Sequence, residues 1–212
     1  MTAAIQTVLS DAVPLLLLAA LSLAVGVAIA PALWRQRGRA QAGRPGGGPP
    51  GAGRLTQRLL DADNPDEIAQ LVLDELAARF ELDVANLALV DEGARTAVVV
   101  AARDGGRDND RLVGQTVALD AEASGISTVV REGAAFAVFD AESSPIVNRR
   151  LNEIARVKSC AYVPVRVADQ VVGVVFAGVR RSRLFADDEL ALMQAYASEA
   201  GLAIERTRAT RA

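Results

Sequence analysis

Ser159-Cys160-Ala161-Tyr162-Val163-Pro164-Val165-Arg166-Val167-Ala168-Asp169-Gln170-Val171-Val172-Gly173-Val174-Val175-Phe176-Ala177-Gly178-Val179-Arg180 is the stretch that decides the fold. Two runs rich in β-branched and aromatic residues, 159–167 and 170–180, flank Ala168-Asp169, and this pattern reads as a hairpin. Period two puts Cys160 and Tyr162 on one face and Ala161, Val163 and Val165 on the other. The wholly apolar set is expected to face helices, which turns Cys160 and Tyr162 toward the opposite layer. Pro164 has no N–H and is expected to end regular pairing, while Gly173 lets a neighbouring element come close.

A second hairpin lies upstream, Val84–Val90 and Thr96–Arg103, turned by Glu92-Gly93. Before it, Asn64-Pro65 reads as N-cap and first helical position. Ile68, Val72, Leu76 and Phe80, with Leu71 beside them, form one apolar helix face. After the Arg103–Gly106 turn, a loop runs to Leu112-Val113-Gly114-Gln115. Ser124 caps a short helix to Arg131, which Gly133 ends. Ala135–Phe139 reads as a short strand, 140–145 as a polar loop, and Val147–Arg156 as a helix. A last helix starts at Asp187-Asp188-Glu189, acids suited to its N-terminal dipole, and runs to about Arg208. Helices segregated beside antiparallel strands mean an α+β fold with a central sheet flanked by helices.

The chain of 212 residues has no His and one Cys, Cys160. The usual general base, haem ligand and commonest metal ligand are therefore missing, and one thiol makes neither an internal disulfide nor a thiolate zinc cage. No catalytic residue, metal or cofactor is expected, and the chain reads as a non-enzyme. The net charge of −3 argues against nucleic acid. Lys158 is the single lysine among 23 basic residues, which with abundant Ala, Gly and Pro fits a GC-rich bacterial genome.

Residues 12–34 carry no charge, and about 20 apolar residues cross a bilayer. The expected organisation is an anchor over 1–34, a Gly/Pro/Arg-rich linker over 35–60, the folded domain over 61–208 and a tail over 209–212. A cleaved signal peptide fits less well. Residues 1–11 lack a basic n-region, and Pro31 follows the Ala28-Ile29-Ala30 box. Arg35, Arg37, Arg39, Arg44, Arg54 and Arg58 precede Asp61, so the N-terminus is expected outside and the domain in the cytoplasm. The basic linker is expected to touch anionic membrane lipid. Ser22, Gly26 and Ala30 would permit close packing of two such spans.

Several motifs occur in one order: Leu112-Val113-Gly114-Gln115, Ser124-Gly125-Ile126, Phe139-Asp140-Ala141, Ser159–Val165, Val171–Val175 and Phe185–Leu190. On these, residues 61–208 resemble the GAF domain family. The resemblance implies a PAS-like central antiparallel sheet. Its first and last helices pack on one face, and its middle helices and loops enclose a small-ligand pocket on the other. It implies a sensory or signalling role, with a small molecule, a homodimer and a signalling partner protein as contacts. Family members that bind haem or tetrapyrroles use His, which is absent here. Those that bind cyclic nucleotides carry an Asn-Lys pair where this chain has Val179-Arg180. Asp188-Glu189 resembles the acidic end of that motif, and such acids also start ordinary helices.

The pocket candidates follow from that likeness: Ser124, Ser127, Phe139, Asp140, Asn148, Arg149, Cys160 and Tyr162. Arg149 suits an anionic ligand, and Ser124 and Ser127 open a helix whose N–H groups suit an anion. Cys160 reads as a ligand contact or redox-sensitive thiol, or as a small buried hydrophobe. On the last helix, Leu190, Met193, Ala197, Ala200 and Ile204 have the spacing of a dimer seam, joined by Leu55 and Leu59, or else pack on the domain's own sheet. Leu192 and Leu202 are then expected on the sheet side. The expected function is a membrane-anchored module that binds a small molecule and relays the event. The alternative is a ligand-free scaffold for dimerisation and partner recruitment.

Overall fold

The computed structural model describes residues 52–211. The expected anchor, Ser22-Gly26-Ala30 stripe and most of the linker lie outside them. No helix among the described residues is long and apolar enough to cross a membrane.

Seven strands form one antiparallel sheet: β1 (Val84–Asp91), β2 (Thr96–Asp104), β3 (Arg107–Asp108), β4 (Thr116–Ala118), β5 (Phe136–Val138), β6 (Ser159–Val167) and β7 (Gln170–Val179). The order is β3-β2-β1-β7-β6-β5, and β4 also pairs with β2. The short β3 falls where sequence predicts a loop, and β4 lies just beyond that loop, where the sequence reading gives no element. Helices α1 (Ala52–Asp61), α2 (Pro65–Phe80) and α5 (Asp187–Arg211) cover one sheet face, and α3 (Gly125–Glu132) and α4 (Arg149–Ala155) belong to the other side.

The caps act as the sequence implies. Asn64 accepts from the Glu67 amide with Pro65 in the first turn, and Gly133 takes φ +67° after α3. At the start of α5, the Glu189 carboxylate accepts from the Ala186 N–H at 3.0 Å and also binds Arg183. Those contacts fix the acids of the Asp188-Glu189 pair in a helix start. A Cβ at Gly173 would stand 2.7 Å from the Ala88 carbonyl oxygen, so β7 and β1 need glycine there.

Three expectations are corrected. Pro164 does not end the pairing, because β6 continues opposite Val174. Its carbonyl turns away from β7 to accept from Gln194 Nε2 at 2.8 Å, and β5 has already ended opposite Tyr162, so no ladder bond is lost. The linker does not extend to residue 60. Leu55 and Leu59 are buried, and Arg206 of α5 donates to the carbonyls of Leu59, Leu60 and Ala62, closing the end of α1.

The third concerns the proposed seam. Met193, Ala197, Ala200 and Ile204 are buried in the chain's own core, and Leu190 packs against it. Small residues bring α5 close to β6, so a Cβ on Gly201 would stand 2.6 Å from the Arg166 carbonyl oxygen. Leu202, expected on the sheet side, is 63% exposed. The 3-4 spacing is real, but the surface it matches is the domain's own sheet.

Candidate functional site

A small cavity lies between the second sheet face and its roof. It has about 20 Å3 open to the centre of a water molecule, room for one or two waters. Leu112, Ile126, Val147, Leu151, Ala155 and Phe176 give it an apolar wall. Asn86, Ser124, Asn148, Asn152 and Tyr162 supply the polar groups, and no charged side chain lines it.

Tyr162 is the floor. Its ring stacks on Phe136 and meets Phe176 edge-on, both at 5.3 Å between centroids. Burial pushes its phenol well above the ordinary range, and the neighbouring Cys160 thiol adds to the shift. Cys160 lies beneath the lining with no exposed surface. Burial pushes its thiol up to about 12, so it is neutral at physiological pH and inert as a nucleophile. The redox-sensitive thiol is thereby corrected to a packing group.

Ser124 caps α3, accepting from the Ser127 N–H at 3.0 Å while its hydroxyl pairs with Ser127 Oγ at 2.8 Å. Ser127 Oγ in turn donates to the Glu122 carbonyl at 2.9 Å and is not part of the lining. Asn148 caps α4 through the Leu151 N–H, and its Nδ2 donates to Glu122 Oε2 at 2.6 Å. Asn152, which sequence reasoning missed, is closed on both the N–H and the carbonyl of Val157.

Three candidates lie away from the cavity. Phe139 is 52% exposed. Strand alternation past Val138 turns it outward with Ala137. Asp140 is exposed and binds the amide and hydroxyl of Ser143, which hold its carboxyl below the usual range. Arg149 is exposed, about 200° around α4 from Leu151. Its neighbour Arg150 has the contacts instead. It reaches Gln115 Oε1, donates to the Thr116 carbonyl at 2.7 Å, and lies 3.6 Å from Glu122. Those contacts tie α4 to the segment before α3.

Arg180, in the place of the family's Asn-Lys pair, pins the sheet end. It donates to Asp104 at 2.8 Å and to the Ala155 carbonyl at 3.3 Å. Among the described residues, no His, Cys, Asp or Glu cluster could hold a metal ion.

Sequence reasoning also missed Asn86. It is 6% exposed in the middle of β1, and its Oδ1 has no hydrogen-bond partner. The signal was an Asn in the buried phase of an apolar strand, between Val84 and Ala88.

No curated protein matches the chain. Solved structures match its fold. The GAF domain of a phosphoenolpyruvate-protein phosphotransferase from Coxiella burnetii is 21% identical, with TM-score 0.66 over 74% of this chain and 92% of that one. A segment of a methyl-accepting chemotaxis protein is 20% identical, with TM-score 0.64 over 74% and 99%. Free methionine-R-sulfoxide reductase from Neisseria meningitidis, solved with its substrate, is 14% identical, with TM-score 0.62 over 74% and 88%. The GAF domain family model matches residues 62–205. With the sheet, the helical layer and the roofed cavity in place, the chain belongs to the GAF domain family.

Proposed function

We propose that this protein is a non-enzymatic sensory module that binds a small molecule in the roofed cavity and relays its occupancy to a signalling partner. The observation that carries the reading is the roofed cavity lined by Asn86, a buried side chain whose Oδ1 has no hydrogen-bond partner. An internal polar atom without a partner is costly in a scaffold and useful in a receptor. The neighbouring fold from Neisseria meningitidis is solved with its substrate, which supports small-molecule binding as a use of this architecture. The uncharged lining supports binding over catalysis.

The module is held at the cell membrane by residues 12–34, single-pass, with the domain in the cytoplasm. The charge asymmetry of the flanks supports this orientation. It acts as a homodimer through the exposed side of the terminal helices, where Leu60 of α1 is 58% exposed and Leu202 of α5 63%. Native mass spectrometry of the protein purified from its host tests the binding. A retained small molecule supports it. A bare mass after exposure to cell extract favours the ligand-free scaffold, a reading that the cavity's small volume supports.

A further inference from the structure

Around the cavity the polar side chains are engaged one after another. Ser124 and Asn148 cap helices, and Asn152 holds the Val157 backbone. Asn86 is the exception. Its neighbours on the same face of β1, Val84 and Ala88, are fully apolar and buried. A valine would sit there without loss to the strand, so the amide has no role in the fold that these contacts explain. The lining has no cation or anion. Arg150, which ties the roof, is engaged with Gln115, Thr116 and Glu122. A charged guest would leave water and find no counter-charge.

Resting on the small-molecule reading above, we propose that the cavity takes a small uncharged molecule, an apolar body with one hydroxyl or amide N–H that donates to Asn86 Oδ1. The body packs against Leu112, Ile126, Leu151 and Phe176. The cavity as it stands has room for only a water or two, so a larger guest needs space from the roof, and a shift of α4 would loosen the Arg150 contacts to Gln115 and Thr116. Occupancy is then visible at the protein surface.

The test uses the full-length chain and four probes of one size: benzyl alcohol, toluene, benzoate and benzylammonium. Calorimetric titration and thermal shift are read for wild type and for Asn86→Val. Benzyl alcohol is expected to bind wild type about tenfold or more tighter than toluene, because only the alcohol satisfies the carbonyl. The two ions are expected not to bind. Asn86→Val is expected to melt about 2–4 °C higher, having lost an unsatisfied buried group, and to bind the alcohol no better than toluene. Asn86→Ala, a smaller side chain that also removes the amide, serves should the valine variant fail to fold. Benzoate or benzylammonium binding as well as the alcohol overturns the proposal, as does a wild type that none of the four probes stabilises. An anionic molecule found by native mass spectrometry overturns the proposal while leaving the sensory reading intact. No retained molecule and no probe binding defeat both.

Discussion

Gly125 rests on the ring of Tyr162: a Cβ at residue 125 would stand 2.3 Å from the ring carbons Cε2 and Cζ. The start of α3 therefore touches the cavity floor directly, and the ring is held from its other sides by Phe136 and Phe176.

Gly125→Ala is expected to destabilise the domain. Alanine gains about 0.5–1 kcal/mol of helix propensity over glycine, but forcing a methyl into a closed aromatic contact costs about 1–3 kcal/mol. Phe136 and Phe176 hem the ring in and the cavity beside it is small, so the overpacking wins. Urea denaturation gives the stability change, and near-ultraviolet circular dichroism of the tyrosines reports the displaced ring. An unchanged midpoint would mean that α3 moves as a lid without cost.

Ala197→Glu is expected to unfold the domain, because it puts an unpaired carboxylate into the core beneath α5. The loss, about 3–5 kcal/mol, is comparable with the whole stability of a marginal domain. Leu202→Glu changes an exposed position and is expected to leave the fold intact while splitting any dimer. Far-ultraviolet circular dichroism and sedimentation separate the two outcomes. A Leu202→Glu protein as dimeric as wild type would remove α5 from the interface.

Cys160 is expected to resist a disulfide-exchange thiol reagent at pH 8 in the native protein and to react fully in denaturant. Its thiol rises from 9.0 to about 12 on folding. The sign follows: the unfolded thiol ionises first, so stability is whole below pH 9 and declines as pH climbs from 9 toward 12, by up to about 1.4 kcal/mol per pH unit for one group. Cys160→Ala is expected to flatten that slope between pH 9 and 10. An equally steep slope in the variant would assign the decline to other groups.

Ala168 has φ +51° in the link between β6 and β7. A non-glycine residue in the left-handed region costs about 1–2 kcal/mol, and glycine's extra chain entropy takes back about 0.5–1. Ala168→Gly is therefore expected to stabilise the domain by about 0.5–1 kcal/mol, seen as a higher urea midpoint. A lower midpoint would show that the methyl packs usefully against a neighbour.

The hairpins and most helix ends were legible because caps, turns and period-two alternation are local. Asn64, Ser124 and Gly133 announce themselves by chemistry that acts within a turn or two. Helix α1 was not legible. It sits in Gly- and Pro-rich sequence and owes its form to the burial of Leu55 and Leu59 and to Arg206, far along the chain. The same limit applies to the site. Phe139, Asp140 and Arg149 sit at plausible places in sequence, but strand phase and helix rotation turn them outward. The α5 spacing identified a packed face and could not say whether the surface opposite belonged to this chain or a second copy. Asn86 was open to discovery by asking of every strand which polar residue stands in the buried phase.

The bond from Arg206 to the Leu59 carbonyl spans 147 residues of sequence, and this bears on the order of folding. Helix α1 leaves the ribosome early, before α5 and the β6–β7 hairpin exist. Central strand β1 also waits, for β7. At about 5–20 residues per second of synthesis, the Arg206 cap on the end of α1 follows Leu59 by roughly 7–30 s. High contact order of this kind slows folding and exposes intermediates. Helix α1 is thus made early in the domain, while the arginine that caps its end is made almost last.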